Sequence, residues 1–218
     1  MENLIETLTT LLIIAVPVIF AITVHEAAHG YVARHFGDLT AWQLGRVTLN
    51  PLRHIDPIGT VLVPALRYFS TGGAFLFGWA KPVPVNFGRL HDPKRDMLWV
   101  AAAGPFANLL MALGWALVFK LALAVNDASL GVVLEAMAKG GIMANAVLML
   151  LNLLPIPPLD GGRIAVSLLP NRLAWKFAQV ERFGFIIILA LLFTHVLDKI
   201  LDPLLGGFLM LLKALFNI

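Results

Sequence analysis

Long apolar stretches without charged residues constrain the fold of this chain more than any other feature. Residues 97–119 form one such stretch of 23 residues, and residues 8–24 form another of 17. A helix needs about 20 apolar residues to cross a hydrocarbon core of about 30 Å. With 59% hydrophobic and 13% charged residues among 218, the chain has more apolar surface than a soluble core of this size can bury. We therefore expect an all-α polytopic membrane protein.

The apolar pattern predicts about five transmembrane helices. Residues 58–80 are also apolar, but Arg67 and a Ser-Thr-Gly-Gly sequence interrupt them, so neither half can cross a bilayer. We expect a re-entrant or extended segment over residues 58–90. The predicted helices lie at residues 4–34, 97–119, 140–159 and 182–197, followed by a last apolar segment at 203–216 whose depth the sequence does not fix.

Lysine and arginine are concentrated in two polar intervals, residues 34–95 and 163–182. Because basic loops tend to stay in the cytoplasm, we expect both intervals there and the N-terminus outside. The net charge of +3 comes from these loops and not from a basic stripe, so no nucleic-acid partner is expected. The chain has no cysteine, so a zinc ion would have to be held by His, Asp or Glu.

The sequence His25-Glu26-Ala-Ala-His29 lies at the inner end of the first predicted helix. Histidines four positions apart share one helix face, where both can bind one zinc ion while Glu26 reaches a water molecule bound to it. A charged side chain in the bilayer interior costs about 2.5–3.5 kcal/mol, so Glu26 should have a partner or a task. The pattern predicts a zinc hydrolase. The alternative is a pair of interfacial histidines beside a Glu26 that reaches the headgroups.

A catalytic zinc ion usually has three protein ligands and leaves one position for water. Asp160 is the best-placed candidate for the third ligand, because it follows a rigid proline-rich run and precedes two glycines. Asp is also a common N-cap, so Asp160 could instead cap the short helix that follows. The spacing alone leaves both roles open.

Three separated motifs together resemble the site-2 protease family of intramembrane zinc metalloproteases, in particular its small bacterial members without a PDZ or CBS domain. The motifs are His25-Glu26-x-x-His29, Gly104-Pro105-x-x-Asn108 and Asn152-x-x-Pro-x-Pro-x-Leu-Asp160-Gly. The resemblance implies that His25, His29 and Asp160 bind Zn²⁺ and that Glu26 is catalytic. It also implies that Asn108 and Asn152 line the site and contact the substrate or the developing oxyanion. For both asparagines the alternative is hydrogen bonding between helices.

A transmembrane substrate must be unwound before its peptide bonds can be attacked, and residues 81–86 suggest how it could then be bound. Proline and valine alternate there, which favours an extended edge strand that could pair with the substrate by strand addition. Val83 and Val85 are therefore candidate substrate-binding residues, although a plain loop is the alternative. His54 could assist near the site, or could be a loop histidine bonded to the backbone.

These observations predict a zinc endopeptidase that cleaves peptide bonds in or near transmembrane segments. We expect it in the bacterial inner membrane with its active site toward the cytoplasm, its partners being a transmembrane substrate and the lipid bilayer. The alternative is a divalent-metal transporter or ion pathway, since both also place His, Asp and Glu in the membrane. The chain is expected to be one domain over 1–218, with a catalytic core at 4–170 and C-terminal helices at 180–217. The oligomeric state is not predicted.

Overall fold

The computed structural model describes residues 2–56, 59 and 81–218, without the side chains of residues 2–12 and 128. The described residues form helices and irregular connections and contain no strand, which confirms the expected all-α class. The helices are α1 (Glu2–His35), α2 (Thr40–Gln43), α3 (Pro93–Ala122), α4 (Ala128–Asn152), α5 (Asp160–Leu168), α6 (Asn171–Ala178), α7 (Glu181–Phe193) and α8 (Val196–Phe216). Two short 3-10 turns occupy Pro51–Arg53 and Phe87–Arg89.

Helices α1, α3 and α4 are each long and apolar enough to cross a membrane. Helices α7 and α8 would make a fourth span if the bent pair is counted as one. Within the described part of the chain the number of candidate spans is thus 3 or 4, and the predicted count of about five is not confirmed. The predicted re-entrant segment lies largely at residues 58 and 60–80, outside the described residues.

Two predicted helix boundaries were wrong. Helix α4 begins at Ala128, well before the expected start at residue 140, because the Asp127 carboxylate caps it by accepting a hydrogen bond from the amide of Leu130 (2.9 Å). Its two charges, Glu135 and Lys139, form an i,i+4 pair (2.6 Å), so they do not interrupt the helix.

The helix predicted at residues 182–197 is also interrupted. Helix α7 ends at Phe193, His195 adopts a left-handed conformation (φ 55°), and α8 leaves at an angle of 79°. Thirteen residues span only about 20 Å of helix, so α7 alone is shorter than the hydrocarbon core.

The three long helices pack around small side chains. Ala21, Ala112, Ala116 and Ala146 are fully buried, which allows close approach of the helix backbones. Large apolar side chains face outward along the same helices, as expected for a lipid-facing surface: they include Val16, Phe20, Phe106, Leu110 and Leu117. Four polar side chains of the motifs are buried instead: His25, His29, Asn108 and Asp160.

Candidate metal centre

His25, His29 and Asp160 come together at one point inside the helix bundle. The Nε2 atoms of the two histidines are 3.1 Å apart, and each lies 3.3 Å from Oδ2 of Asp160. Zinc with tetrahedral bonds of about 2.0–2.1 Å holds its ligand atoms about 3.3 Å apart, so the three distances fit one shared ion. All three residues are buried. Among the residues that the structure describes, they form the one acidic or histidine cluster that could hold a metal.

The outer ring nitrogens of both histidines are engaged, which leaves the inner nitrogens for a metal. Nδ1 of His29 donates to the carbonyl oxygen of Val100 (2.7 Å), and Nδ1 of His25 faces Oδ1 of Asn108 (2.6 Å). Because oxygen acceptors require a proton on Nδ1, each Nε2 presents a lone pair. Two lone pairs and the buried Oδ2 of Asp160, which has no hydrogen-bond donor, would repel each other without a shared cation. The donor set therefore fits zinc.

The loop between α4 and α5 positions Asp160, because it folds back and brings the start of α5 against the residues that follow α4. Helix α4 ends at Asn152, before the proline-rich run that the prediction over residues 140–159 included, and α5 begins at Asp160. A Cβ atom at Gly161 would overlap the carbonyl oxygens of Leu153 and Leu154, so only glycine allows this return of the chain. The N-cap of α5 is Leu159, and no side chain caps it, so Asp160 is not an N-cap.

Helix α3 passes directly against the two imidazoles. A Cβ atom at Gly104 would overlap Nε2 of His29 and crowd Cε1 of His25. Glycine at this position therefore leaves the space beside the metal-binding nitrogens free, which explains the glycine of the second motif.

Glu26 connects helix α1 to residues 81–86. Its Oε2 accepts a hydrogen bond from the amide of Val83 (2.7 Å), and the side chain is half-buried. Arg46 donates to the carbonyl oxygen of Lys81 (2.7 Å), and the amide of Lys81 donates to the carbonyl oxygen of His54 (3.0 Å). The segment is thereby fixed beside the carboxylate expected to act as a base.

Asp38 holds the other end of the same segment. Its buried carboxylate accepts hydrogen bonds from the hydroxyl and amide of Thr40 and from the amide of Asn86 (2.6 Å). Burial raises the pKa of Asp38, but these hydrogen bonds and the nearby charge of Arg89 outweigh it, so the pKa lies below its ordinary value.

The side chains of Val83 and Val85 point into the protein. Val83 is buried with Ala41 and Val47, and Val85 packs on a cluster around Ala33. The side chains fill two small cores, and the role of Val83 and Val85 in binding a substrate stays a prediction. Residues 81–86 form no ladder with any described residue, so the predicted edge strand has no partner strand there, and strand addition through the backbone stays a prediction.

Asn108 and Asn152 are two further residues that the sequence predicts at the site. Asn108 is fully buried, and it donates to the Ala21 carbonyl oxygen and to Oδ1 of Asn145, which are the expected hydrogen bonds between helices. Its contact with a substrate or an oxyanion stays a prediction. Asn152 is half-buried and donates to the carbonyl oxygen of Leu148 (3.0 Å); its catalytic role stays a prediction.

His54 is buried in its loop, and its Nε2 donates to the carbonyl oxygen of Thr48 (2.8 Å), as expected of a loop histidine bonded to the backbone. Its role toward a substrate stays a prediction. Two supports of the site were missed. The Val100 carbonyl leaves no trace in a sequence, whereas Asn145, an amide within an apolar helix, was a visible signal.

Comparison with known proteins agrees with this geometry. The model of "Peptidase family M50" matches residues 121–195. A Bacillus subtilis protein named "Putative zinc metalloprotease YwhC" is 38% identical over 211 residues, covering 94% of this chain and 92% of that protein. Proteins named "Putative zinc metalloprotease Rip2" from Mycolicibacterium smegmatis and Mycobacterium tuberculosis are 32% and 30% identical over 182 residues. These matches cover 83% and 82% of this chain and 66% and 65% of those proteins. No solved structure matches.

The chain therefore belongs to Peptidase family M50, the site-2 protease family. It is a zinc metalloprotease and an integral membrane protein. With the family shown, no observation on the described residues favours the alternative of a divalent-metal transporter or ion pathway.

Proposed function

We propose that this protein is an intramembrane endopeptidase that hydrolyses peptide bonds in or near the transmembrane segments of other membrane proteins. The observation that carries the proposal is the position of the metal centre. His25, Glu26 and His29 all lie within the candidate span Ile13–His35, so the reactive groups belong to a membrane helix. A peptide bond that reaches them has to enter the bundle.

The residues of the chain provide the remaining chemistry. When bound, zinc supplies a Lewis acid that polarises a carbonyl group and lowers the pKa of water toward about 7. Glu26, adjacent to His25, accepts a proton from the attacking water and returns it to the leaving amine, a role worth about 100- to 10,000-fold in rate. The amide of Val83 donates to Oε2 of Glu26, which orients the carboxylate. Burial of His25, His29 and Asp160 limits competing access of bulk water.

Residues 81–86 are proposed to bind the unwound substrate by strand addition. The side chain of Val83 is buried in the protein, so the backbone of this segment would supply the contacts with the substrate. Within the described part of the chain, the carbonyl oxygens of Val83 and Val85 accept no hydrogen bond. This leaves acceptors beside Glu26 for the amides of an extended peptide.

The proposed orientation puts the N-terminus outside and the metal centre toward the cytoplasm of a bacterial inner membrane. Basic residues support it: Arg34 lies in the last turn of α1, Arg46 and Arg53 follow that helix, and Lys94 and Arg95 lie in the first turn of α3. In the sequence, all five are near the end of the bundle that carries the metal ligands. Basic loops favour the cytoplasmic side.

The test compares the wild-type protein with Glu26→Gln in liposomes that contain a helical transmembrane peptide. Glu135→Gln is the matched control, because Glu135 pairs with Lys139 on helix α4 and contacts none of the metal ligands. We expect the wild type and the control to cut the peptide, with mass spectrometry mapping the cut in or beside its apolar segment. Glu26→Gln should keep its zinc and lose at least about 100-fold in rate. Equal cleavage by all three, or cuts confined to soluble peptides, would contradict the proposal.

A further inference from the structure

Helix α4 carries a buried amide, Asn145, that hydrogen bonds connect to a metal ligand on another helix. We propose that Asn145 is a positioning residue of the zinc site. It fixes the orientation of the Asn108 amide, and Asn108 in turn fixes the His25 tautomer that leaves Nε2 free for zinc. The inference rests on the zinc site and is independent of the kind of substrate.

The contact with Gly141 determines which atom donates and which accepts in each of these hydrogen bonds. Nδ2 of Asn145 lies 2.8 Å from the carbonyl oxygen of Gly141, one turn earlier on α4. A carbonyl oxygen can only accept, so the Asn145 side chain must present its nitrogen to Gly141. Its Oδ1 then has to face the other way, toward Asn108.

The orientation of the Asn108 side-chain amide follows in the same way. Nδ2 of Asn108 lies 2.8 Å from Oδ1 of Asn145 and 3.3 Å from the carbonyl oxygen of Ala21. Both neighbours are acceptors, so the nitrogen of Asn108 must face them and its Oδ1 must face His25. An inverted Asn108 would bring two oxygens together at each contact.

The orientations of the two amides determine which ring nitrogen of His25 carries the proton. Oδ1 of Asn108 stands 2.6 Å from Nδ1 of His25 and requires a proton there. The neutral ring then keeps its lone pair on Nε2, the atom that lies 3.3 Å from Oδ2 of Asp160. Partners of this kind commonly set the tautomer and orientation of histidines that bind zinc.

Burial makes the arrangement strict. Asn108 and Asn145 both have 0% exposure, so water cannot replace a missing partner. By contrast, His29 is oriented by the backbone carbonyl of Val100, which no side-chain substitution removes. The two histidines therefore differ in how a mutation can reach them.

The experiment measures zinc affinity of the purified full chain by competition with a chromophoric chelator. The variants are Asn145→Leu, Asn108→Leu and the double variant, with Met149→Leu as control because Met149 is buried one turn further along α4. Loss of such a supporting partner typically weakens metal binding about 10- to 100-fold. We expect Asn108→Leu in this range, Asn145→Leu near its lower end, and Met149→Leu unchanged. The double variant should match Asn108→Leu, because Asn145 acts through it.

A conservative variant separates orientation from packing. Asn145→Asp should stay neutral in this buried place, with its O–H on the Gly141 carbonyl and its other oxygen accepting from Asn108, so zinc affinity should be close to wild type. Ring ¹⁵N shifts of His25 in zinc-free protein should show the proton on Nδ1 in wild type and Asn145→Asp, and a mixture in Asn145→Leu. The inference is overturned if Asn145→Leu matches Met149→Leu, if the two substitutions add, or if Asn145→Asp weakens zinc as much as Asn145→Leu. Zinc affinity is read without substrate, so failure of intramembrane cleavage would leave this result unaffected.

Discussion

The two halves of the metal site are held in place by different means. His25 and His29 stand one turn apart on α1, so the helix itself brings them to one face. Asp160 comes much later in the chain, and it reaches the same point only because the loop before α5 folds back closely enough for Gly161 to lie against the Leu153 carbonyl. One half depends on local geometry, the other on a tertiary contact.

This difference teaches where the site can be damaged selectively. A helix of the length of α1 keeps its i,i+4 spacing through most surface substitutions. The loop half has no such protection, because a single added methyl group at Gly161 would overlap backbone atoms that cannot rotate away.

The largest effect is expected from removing a ligand in either half. His29→Ala and Asp160→Ala should both lose zinc and proteolysis, because two remaining ligands cannot complete a three-ligand site. Zinc per chain after dialysis, measured by mass spectrometry of the metal, is the readout. If Asp160→Ala kept one zinc per chain with unchanged affinity, the third ligand would have to be another residue.

A smaller and more selective effect is expected at the loop half. Gly161→Ala should lower the free energy of unfolding by about 1–3 kcal/mol through overpacking, and it should weaken zinc binding by displacing Asp160. Helix content should be retained, since α1 is untouched. Gly206→Ala on α8 is the control, because an added Cβ there meets nothing within 4 Å. Unchanged zinc affinity in Gly161→Ala would show that the loop tolerates more than its close contacts indicate.

The smallest effect on zinc binding is expected at Asp38, which follows α1 and holds Asn86 and so the segment beside Glu26. The pKa of Asp38 lies below its ordinary value of about 3.9, so the carboxylate stabilises the fold fully above that pH and loses its contribution as the pH falls through the folded pKa. Asp38→Asn should cost about 1.5–3 kcal/mol at pH 7, the range for hydrogen bonds to a charged group. The difference in thermal stability between wild type and variant should shrink below about pH 4. A difference that stays constant or grows on acidification would contradict this account.

The local features of the site could be predicted from the sequence. The pair of histidines follows from helical spacing, and the break after Asn152 follows from prolines that cannot continue a helix. The role of Asp160 came from the resemblance between motifs, because spacing alone could not separate a ligand from an N-cap.

The tertiary features could not be predicted in the same way. Alternation with proline indicates an extended segment at residues 81–86, but it does not show that Val83 and Val85 pack in two small cores. The contact between Asn108 and Asn145 could not be predicted, because the two residues lie on different helices and only packing brings them together. The apolar pattern does not reveal the early start of α4, because Glu135 and Lys139 lie within the helix as an ion pair.

X-ray absorption at the zinc edge of the purified wild-type protein would show whether His25, His29 and Asp160 together bind one zinc ion. We expect one zinc per chain with nitrogen and oxygen ligands at about 2.0–2.1 Å, and with outer-shell scattering from two imidazole rings. A spectrum that required sulfur at about 2.3 Å, or three imidazoles, would contradict it.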